Sequence, residues 1–458
     1  MENKILNNVR TGSSPSDLRI TDIRFASIEG APMSCSLIKI MTNQGIEGYG
    51  EIRDWAPPLY AQMLKKYLVG ENPCQIDKLF RRIKQFGGQS RQGGGVSGVE
   101  LALCDLAGKA WGVPVYQLIG GKTRDKVRIY VDTDPGEGRD TGKGMGQALK
   151  ERMDNGFTFL KMDLGIHQIE HVKGALCAPL GYFEEYAKVQ NDWIEVLHAN
   201  DASRNAELLR KKNKAFYLDN VRHPFTGIHV TEMGLDLLEE YVTAVRDEIG
   251  YEVPLAVDHF GHICVEDCIK VARRLDKYNL AWYEDMIPWQ YTDQYVRLKN
   301  SCTTPVCTGE DIYLRENFKP LLEAGGVSVI HPDLLTSGGI LETKKIAEMA
   351  EDNGIAFAMH MAESPVAAMA AAHLCCTVEN FLAMEYHSED IPWWNDIVNY
   401  SAKPIVNKGF ITVPDAPGFG IDSLNDEVIQ EHLNPKFPGL WLSTEEWDFW
   451  YSEDRLWS

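Results

Sequence analysis

The chain of 458 residues is long enough for two or three domains with a large core. Hydrophobic residues make up 44% of it and charged residues 24%, a composition that excludes disordered and fibrous proteins. The formal net charge of −20 argues against a nucleic-acid partner, because surfaces that bind phosphate backbones need clustered lysine and arginine.

Three features of the sequence indicate the cellular compartment of the protein: its N-terminal segment, its longest apolar stretch and its cysteines. Residues 1–19 lack the apolar core of a signal peptide, and Val366–Cys376 is too short to span a bilayer. The closest cysteine pairs match neither a zinc spacing nor a disulfide framework. We therefore expect a cytoplasmic protein with reduced thiols and no membrane partner.

Residues 1–125 have a mixed pattern that predicts an α+β domain. Ile20–Glu51 alternates between apolar and polar residues around a turn signal at residues 42–45, which predicts an antiparallel hairpin. In Gln75–Trp111 the apolar residues fall at helical spacing around a glycine-rich break.

From residue 126 to about residue 400, short apolar runs alternate with helix-length amphipathic segments. Eight such runs predict parallel strands joined by helices, either as a barrel or as a doubly wound sheet. We favour the barrel, because no glycine-rich dinucleotide motif follows the first strand. The predicted strands are Val127–Val131, Thr158–Met162, Pro254–Val257, Leu280–Tyr283, Thr304–Thr308, Val327–Ile330, Ile355–Met359 and Phe381–Met384.

One connection in this region is much longer than the others. Residues from about 165 to 230 are predicted to be an insertion after the second strand, at the edge where barrel enzymes place their active sites. A structureless loop of that length is improbable, so we expect it to carry its own helices, around residues 183–198 and 202–212. Residues 401–458 form a turn-rich C-terminal segment.

Three acidic residues follow successive predicted strands at equal intervals: Asp258, Glu284 and Glu310. The ends of neighbouring parallel strands meet at one rim, so these carboxylates should converge. Like charges this close need a cation, and an all-oxygen ligand set suits Mg²⁺ or Mn²⁺. The alternative for any single one is a solvated rim residue or a helix cap.

Two further strand ends carry a candidate proton-transfer pair. Asp333 follows the sixth predicted strand and His360 the seventh, and a carboxylate beside an imidazole fixes its tautomer and makes it a better base. Glu385 follows the eighth strand, where it can donate to or accept from a substrate oxygen.

These residues resemble the enolase superfamily, and most closely its mandelate racemase/muconate lactonizing enzyme-like subgroup. Further motifs of the resemblance lie at Gly45–Glu51, Ala102–Pro114 and Gly418–Gly420. The resemblance implies a modified (β/α)7β TIM-type barrel beneath an α+β capping domain to which residues 401–458 return. It also implies a metal site at the three acids and a His360–Asp333 dyad.

The sequence departs from this subgroup on the second strand. The subgroup typically has Lys-x-Lys there, with the second lysine as a base, whereas this chain keeps Lys161 and has Asp163 at the base position. A strand-end ion pair between the two is the alternative reading. Some acid-sugar dehydratases of the superfamily have a histidine two residues after the first metal ligand, where this chain has Phe260 next to His259.

The resemblance implies a reaction that begins with removal of the proton next to a carboxylate, where Mg²⁺ stabilises the enediolate. We therefore expect a dehydratase, a hydro-lyase that converts a sugar acid, an aldonate or aldarate, into a 2-keto-3-deoxy acid. A cycloisomerase, racemase or epimerase using the same enediolate, and a non-catalytic sugar-acid binding protein, remain as alternatives. We also expect a homo-oligomer. The predicted catalytic residues are His360, Asp333, Lys161, Asp163 and Glu385, and the predicted substrate-binding residues are His387, His259 and Arg53.

Overall fold

The computed structural model describes residues 12–31, 33–87, 95–179, 181–183, 187–188, 191–192, 206–207, 210, 223–400 and 403–450. The helices predicted within the insertion lie almost entirely outside the described residues, and so does most of the glycine-rich break that was expected before residue 96.

The first part of the described chain is a three-stranded antiparallel sheet covered by helices. Strands β1 (Ile20–Ile28), β2 (Cys35–Thr42) and β3 (Glu47–Ile52) pair in sequence order, so the predicted hairpin is present between β2 and β3. Three helices follow: α1 (Leu59–Gln62), α2 (Ile76–Gly87) and α3 (Val96–Trp111).

Glycines allow α3 to lie unusually close to β3. A Cβ built on Gly50 would lie 2.2 Å from the carbonyl oxygen of Gly98, and one on Gly98 would lie 1.9 Å from the carbonyl oxygen of Glu51. No side chain fits at these distances, which explains why both elements carry glycine at the crossing.

All eight predicted parallel strands are present, and several of them begin one to three residues later than predicted. They pair in the order β4-β13-β12-β11-β10-β9-β8-β5 within one sheet, and β16 and β15 extend that sheet beyond β4. An isolated parallel bridge between Asp132 and Lys161 links the two ends of the eight-stranded run. The strands after β3 are β4 (Lys126–Val131), β5 (Leu160–Asp163), β6 (Leu176–Cys177), β7 (His229–Val230), β8 (Leu255–Asp258), β9 (Tyr283–Glu284), β10 (Val306–Thr308), β11 (Val329–Ile330), β12 (Ala356–Met359), β13 (Phe381–Tyr386), β14 (Val398–Asn399), β15 (Val406–Asn407), β16 (Phe410–Thr412) and β17 (Ser423–Leu424).

Helices connect the parallel strands and bury their apolar faces in one large core. The last helix between the parallel strands, α12 (Pro365–Cys375), is buried along its whole length, as its run of alanines and apolar residues predicts. The helices after α3 are α4 (Val115–Leu118), α5 (Gly142–Asp154), α6 (Glu232–Ile249), α7 (Val265–Leu275), α8 (Thr292–Lys299), α9 (Arg315–Glu323), α10 (Leu334–Ser337), α11 (Ile340–Asp352), α12 (Pro365–Cys375), α13 (Asp426–Glu431) and α14 (Glu445–Trp450).

Two buried carboxylates of the N-terminal part cap helices of the parallel-sheet part. Glu100 of α3 accepts hydrogen bonds from the backbone of Ile340 (2.7 Å) and Leu341 (3.0 Å) at the start of α11. Glu51 of β3 accepts one from the backbone of Ser364 (3.0 Å) immediately before α12. Burial raises the pKa of each carboxyl to about 7. The two parts are therefore joined by polar contacts at helix N-termini, where negative charge is favoured.

The two ends of the predicted insertion meet at the rim. Within it, β6 pairs antiparallel with β7, the strand that precedes α6. The C-terminal segment returns to the first sheet, where the backbone of Asn434 donates to Ser27 and that of Trp441 donates to Phe25. Among the described residues no helix combines the length and the apolar character that a membrane span requires.

Candidate active site

Lys161 lies at the centre of a cluster of buried acids at the carboxyl ends of the parallel strands. Its Nζ is 2.9 Å from Asp258 Oδ2, 2.6 Å from Glu284 Oε1 and 3.0 Å from Glu385 Oε1. The three acids come from β8, β9 and β13, three different strands of the same sheet. Lys161 does not pair with Asp163 as the alternative reading had it, but neutralises charge from three other strands.

Glu310, the third predicted metal ligand, faces the same centre but has different partners. It follows β10 by two residues, and its Oε2 is 3.0 Å from His360 Nε2. Its Oε1 is 3.5 Å from Arg53. The structure thus brings the predicted ligands to one rim. Two of them contact Lys161, and the third contacts His360.

The donor set fits a divalent cation. Glu284 is fully buried, and this burial, together with the nearby charge of Asp258, raises its pKa to about 8. Asp258 behaves differently, because Lys161 outweighs the effect of burial and lowers its pKa below the ordinary value. Carboxylates that cannot all ionise together without a counter-charge, and that offer only oxygen atoms, suit Mg²⁺ or Mn²⁺ better than zinc.

The predicted dyad is formed by two neighbouring strand ends. His360 Nδ1 is 2.8 Å from Asp333 Oδ2, and a parallel bridge joins the two backbones. The other carboxylate oxygen of Asp333 accepts a hydrogen bond from the backbone of Leu335 at 2.6 Å, which fixes its orientation. Burial lowers the pKa of His360, but Glu310 opposes this effect and the net pKa lies well above the ordinary value.

Arg53 reaches the dyad from the end of the first sheet. Its Nη1 donates to Asp333 at 2.6 Å and to Glu363 at 2.8 Å, and its side chain is only 3% exposed. The sequence predicts Arg53 as a substrate-binding residue, and the structure adds that its guanidinium holds the aspartate of the dyad. Arg53 also joins the two parts of the chain at the site.

Asp163, which stands where the subgroup has a second lysine, pairs with His259. Asp163 Oδ1 is 2.8 Å from His259 Nδ1, which also lies 3.5 Å from Asp258 Oδ2. These carboxylates, Asp258 first, raise the pKa of His259 above its ordinary value. The neighbouring Phe260, at the position of the dehydratase histidine, is buried against Tyr283 and offers no polar group.

A cavity of about 750 Å³ opens beside the acid cluster. His387 lines it, and its Nε2 is 3.2 Å from Glu385 Oε1, so the cavity adjoins the residues around Lys161. Its wall also carries six carboxylates and two more histidines: Asp132, Asp134, Asp140, Asp163, Glu389, Asp390, His167 and His171. Burial, with Asp163 nearby, raises the pKa of Asp132 to about 6.

Sequence reasoning missed two buried residues of the site, His331 and Glu363. His331 lies two positions before Asp333, with its Nδ1 3.5 Å from Glu284. Glu363 lies three positions after His360 and accepts from Arg53. His331 stands directly after the predicted strand Val327–Ile330, which is the signal that identified the acids, so the motif His-Pro-Asp would have justified examining it. Glu363 lies four residues beyond the strand Ile355–Met359, where this signal does not reach.

Comparisons with known proteins identify the family. Residues 13–120 match the mandelate racemase/muconate lactonizing enzyme N-terminal domain, and residues 144–427 match the enolase C-terminal domain-like family. The chain belongs to the enolase superfamily, in the mandelate racemase/muconate lactonizing enzyme-like group, as the resemblance implied.

Similar proteins span almost the whole chain. A D-xylonate dehydratase from Haloferax volcanii is 30% identical, over 91% of this chain and 89% of the relative. A D-galactonate dehydratase from Ralstonia nicotianae is 28% identical, over 85% of this chain and 89% of the relative. The crystal structure of a mandelate racemase/muconate lactonizing enzyme-like protein from Rubrobacter xylanophilus superposes with a TM-score of 0.74 at 28% identity, covering 92% of this chain and 99% of that one.

Proposed function

We propose that the protein is a sugar-acid dehydratase that converts an aldonate into a 2-keto-3-deoxy acid. The relatives named for D-xylonate and D-galactonate dehydration support this class of reaction. The observation that carries the proposal is the contact between Asp333 and His360 Nδ1, which leaves His360 Nε2 facing Glu310 of the acid cluster. The alternative of a non-catalytic binding protein is disfavoured because such a protein has no need of this pair.

Asp258, Glu284 and Glu310 are the residues that we expect to hold Mg²⁺, with Mn²⁺ as a substitute. When bound there, the cation stabilises the negative charge that develops on the substrate carboxylate after proton removal. The eight parallel strands are, in this proposal, the modified (β/α)7β barrel of the superfamily, with β4 and β5 as its closing strands.

His360 accepts the proton from carbon 2 of the substrate at Nε2. Asp333 accepts the hydrogen of Nδ1 and so orients the imidazole with Nε2 as the atom that transfers the proton. The hydroxyl on carbon 3 then leaves as water, taking the proton that His360 carries, and a carbon–carbon double bond forms between carbons 2 and 3. The resulting enol takes up a proton at carbon 3 and releases the proton of its carbon-2 hydroxyl, which gives the 2-keto-3-deoxy acid.

Lys161 and Glu385 orient the substrate oxygens near His360. Glu385 Oε2 lies 3.7 Å from His360 Nε2, so a group that contacts one of them is within reach of the other. Lys161 supplies positive charge where a substrate carboxylate approaches, which is the charge complementarity that accelerates proton removal. Asp163, His259 and His387 contact hydroxyl groups of the sugar chain.

The acidic wall of the cavity favours a substrate with one carboxylate. A distal carboxylate of an aldarate would meet the carboxylates of the wall, whereas the hydroxyls of an aldonate can donate to them. Two of the six acids have a cationic partner, since Asp390 pairs with Arg152 and Asp163 with His259. The remaining acidic character is the basis for proposing an aldonate.

Product analysis tests the proposed reaction against its isomerase alternatives. Full-length protein with Mg²⁺ is incubated with a panel of aldonates and aldarates of matched configuration, and the products are followed by nuclear magnetic resonance. Loss of water with a new methylene signal at carbon 3 supports dehydration. An epimer or a lactone formed without loss of water contradicts it.

A further inference from the structure

We propose that the chain binds a zinc ion outside the catalytic centre, at His229, Cys264 and Asp267. Cys264 Sγ lies 3.9 Å from His229 Nδ1 and 3.8 Å from Asp267 Oδ2. His229 Nδ1 lies 2.8 Å from Asp267 Oδ2. The donor atoms of three side chains therefore face one point, within 4.8 Å of one another.

The position of Cys264 is unusual for a helix start. Cys264 is the N-cap residue of α7, a position that favours serine, threonine, aspartate or asparagine. Its side chain faces His229 and Asp267. This orientation of the thiol suits a metal ligand.

Burial and a hydrogen bond fix the carboxylate of Asp267 in the way expected for a metal ligand. It is fully buried in the first turn of α7, and its Oδ1 accepts from Lys270 Nζ at 2.6 Å. This contact fixes the carboxylate and leaves Oδ2 facing the imidazole and the thiol. Hydrogen bonds of this kind to the second oxygen orient carboxylate ligands in metal sites.

Cys177 supplies the fourth ligand. It lies directly opposite His229 in the antiparallel pair of β6 and β7, so the two side chains share one face. Cβ atoms of such pairs are about 5 Å apart, and rotation of the exposed Cys177 side chain brings its sulfur to the same point. Two thiolates, an imidazole and a carboxylate are the tetrahedral set that zinc prefers over Mg²⁺.

The ligands come from distant parts of the sequence, which explains why the cysteine spacing gives no zinc motif. His229 belongs to the strand that leaves the insertion, whereas Cys264 and Asp267 begin the helix after β8. Thr226 Oγ1 donates to the carbonyl of His262 at 2.7 Å across the same junction. The ion fastens the base of the insertion to the loop that follows Asp258.

Cobalt substitution tests the site without relying on activity. Full-length protein saturated with Mg²⁺ is titrated with Co²⁺, and a near-ultraviolet thiolate-to-cobalt charge-transfer band is recorded. The oxygen ligands of the catalytic acids give no such band. We expect the wild-type protein to show it, and Zn²⁺ to remove it by displacement.

Three variants and a control locate the ligands. Cys264→Ser and His229→Asn are expected to weaken Zn²⁺ binding at least tenfold in competition with a chromophoric chelator, and Cys177→Ser to lower the band intensity. Serine is a good N-cap residue, so Cys264→Ser keeps the helix start intact. Cys302→Ser, a half-buried cysteine elsewhere, is the control and should bind as the wild type does. Absence of the band in the wild type, or an unchanged band in both Cys264→Ser and His229→Asn, overturns the proposal.

Discussion

His360 is the residue on which the proposed chemistry depends most. In the proposed mechanism its Nε2 is the proton acceptor, and Asp333, 2.8 Å from Nδ1, holds the tautomer. We expect His360→Asn to slow exchange of the substrate proton at carbon 2 with solvent deuterium by about 1,000-fold, within the range that general-base catalysis supplies. The exchange is measured by nuclear magnetic resonance in deuterium oxide.

Asp163→Asn is the matched comparison for this variant. Asp163 pairs with the largely exposed His259, and the proposal gives it a hydroxyl contact rather than the proton transfer. We expect the substitution to reduce exchange much less than His360→Asn does. A larger loss of exchange in Asp163→Asn than in His360→Asn would indicate that Asp163, not His360, is the base.

Glu284 is the second residue that a substitution can test directly. Glu284→Gln removes the charge of a fully buried carboxylate that we expect to bind the cation, so Mg²⁺ affinity should fall at least tenfold. Isothermal titration calorimetry measures this affinity, with the exposed Glu323→Gln as control. Unchanged Mg²⁺ affinity in Glu284→Gln would remove the residue from the ligand set.

Among single residues, the sequence predicts those that stand at strand ends and misses contacts between residues that are distant in sequence. Asp258, Glu284, Asp333 and His360 all follow apolar strands, and strand ends converge in a parallel sheet. The contact of Arg53 with Asp333 joins residues 280 positions apart, and no periodicity or spacing encodes it. The partners of Lys161 depend in the same way on three other strands.

The crossing of β3 and α3 is the element whose packing leaves the least room. A Cβ on Gly50 would meet the backbone oxygen of Gly98 at 2.2 Å, and backbone cannot move aside as a flexible side chain can. We expect Gly50→Ala to lower the free energy of unfolding by about 3 kcal/mol, the upper part of the range for overpacking. Urea denaturation measures the loss.

Gly12→Ala is the control for this substitution. A Cβ at Gly12 meets no atom within 4 Å, so the change should leave the urea midpoint close to the wild-type value. Equal stability of Gly50→Ala and Gly12→Ala would mean that the two elements do not approach as closely as described.

Helix α12 carries a buried histidine that links it to α4. Burial lowers the pKa of His373 to about 4, from an ordinary value of 6.5, and its Nδ1 accepts from the backbone of Tyr116. Because the unfolded chain binds this proton more readily, acid favours unfolding between pH 6.5 and pH 4. The shift corresponds to about 3 kcal/mol of stability lost across that window.

The variant His373→Gln should lack this contribution. Its free energy of unfolding is expected to fall less than that of the wild type between pH 6.5 and pH 4, whatever the constant difference above pH 7. Urea denaturation at several pH values measures both slopes, and the exposed His171→Gln should keep the wild-type slope. Parallel pH dependence in His373→Gln and the wild type would contradict the assignment.

The elements themselves were largely predictable. Short apolar runs between amphipathic segments predict the eight parallel strands, although Leu280–Tyr283 begins three residues before the observed β9. Strand starts depend on hydrogen bonds to neighbouring strands, which a local pattern does not contain. A local pattern also does not predict β6 and β7. Each is two residues long, and they pair with each other although most of the insertion separates them in sequence.

In the proposed function, the sugar chain of the substrate lies in the acidic cavity that adjoins the residues around Lys161. We expect kcat/KM for an aldonate to exceed that for the aldarate of the same configuration at least tenfold, because the wall repels a second carboxylate. Steady-state kinetics with matched pairs measures the ratio. Equal efficiency for both classes would contradict the proposed role of the cavity wall.

The wall residue Asp140 offers a variant for the same question. Asp140→Asn removes one charge from the cavity without touching the residues around Lys161. We expect it to improve the relative efficiency with the aldarate. An unchanged ratio would place the distal end of the substrate elsewhere.

The arrangement of the whole chain explains why the site needs both of its parts. Arg53 enters from the first sheet and contacts the dyad, while Glu51 and Glu100 cap helices of the parallel-sheet part. The family motifs predict that the two parts of the chain associate. The structure shows which side chains form the contacts between them.

Formation of a 2-keto-3-deoxy acid from an aldonate is the direct test of the proposed dehydratase activity. The wild-type protein, stripped of metal by a chelator and then supplied with Mg²⁺, is compared with His360→Asn on D-xylonate and D-galactonate. We expect at least one aldonate to give the keto acid with the wild-type protein, only after Mg²⁺ is restored, and His360→Asn to give none above background. Keto-acid formation by His360→Asn at the wild-type rate would contradict the proposed role of His360.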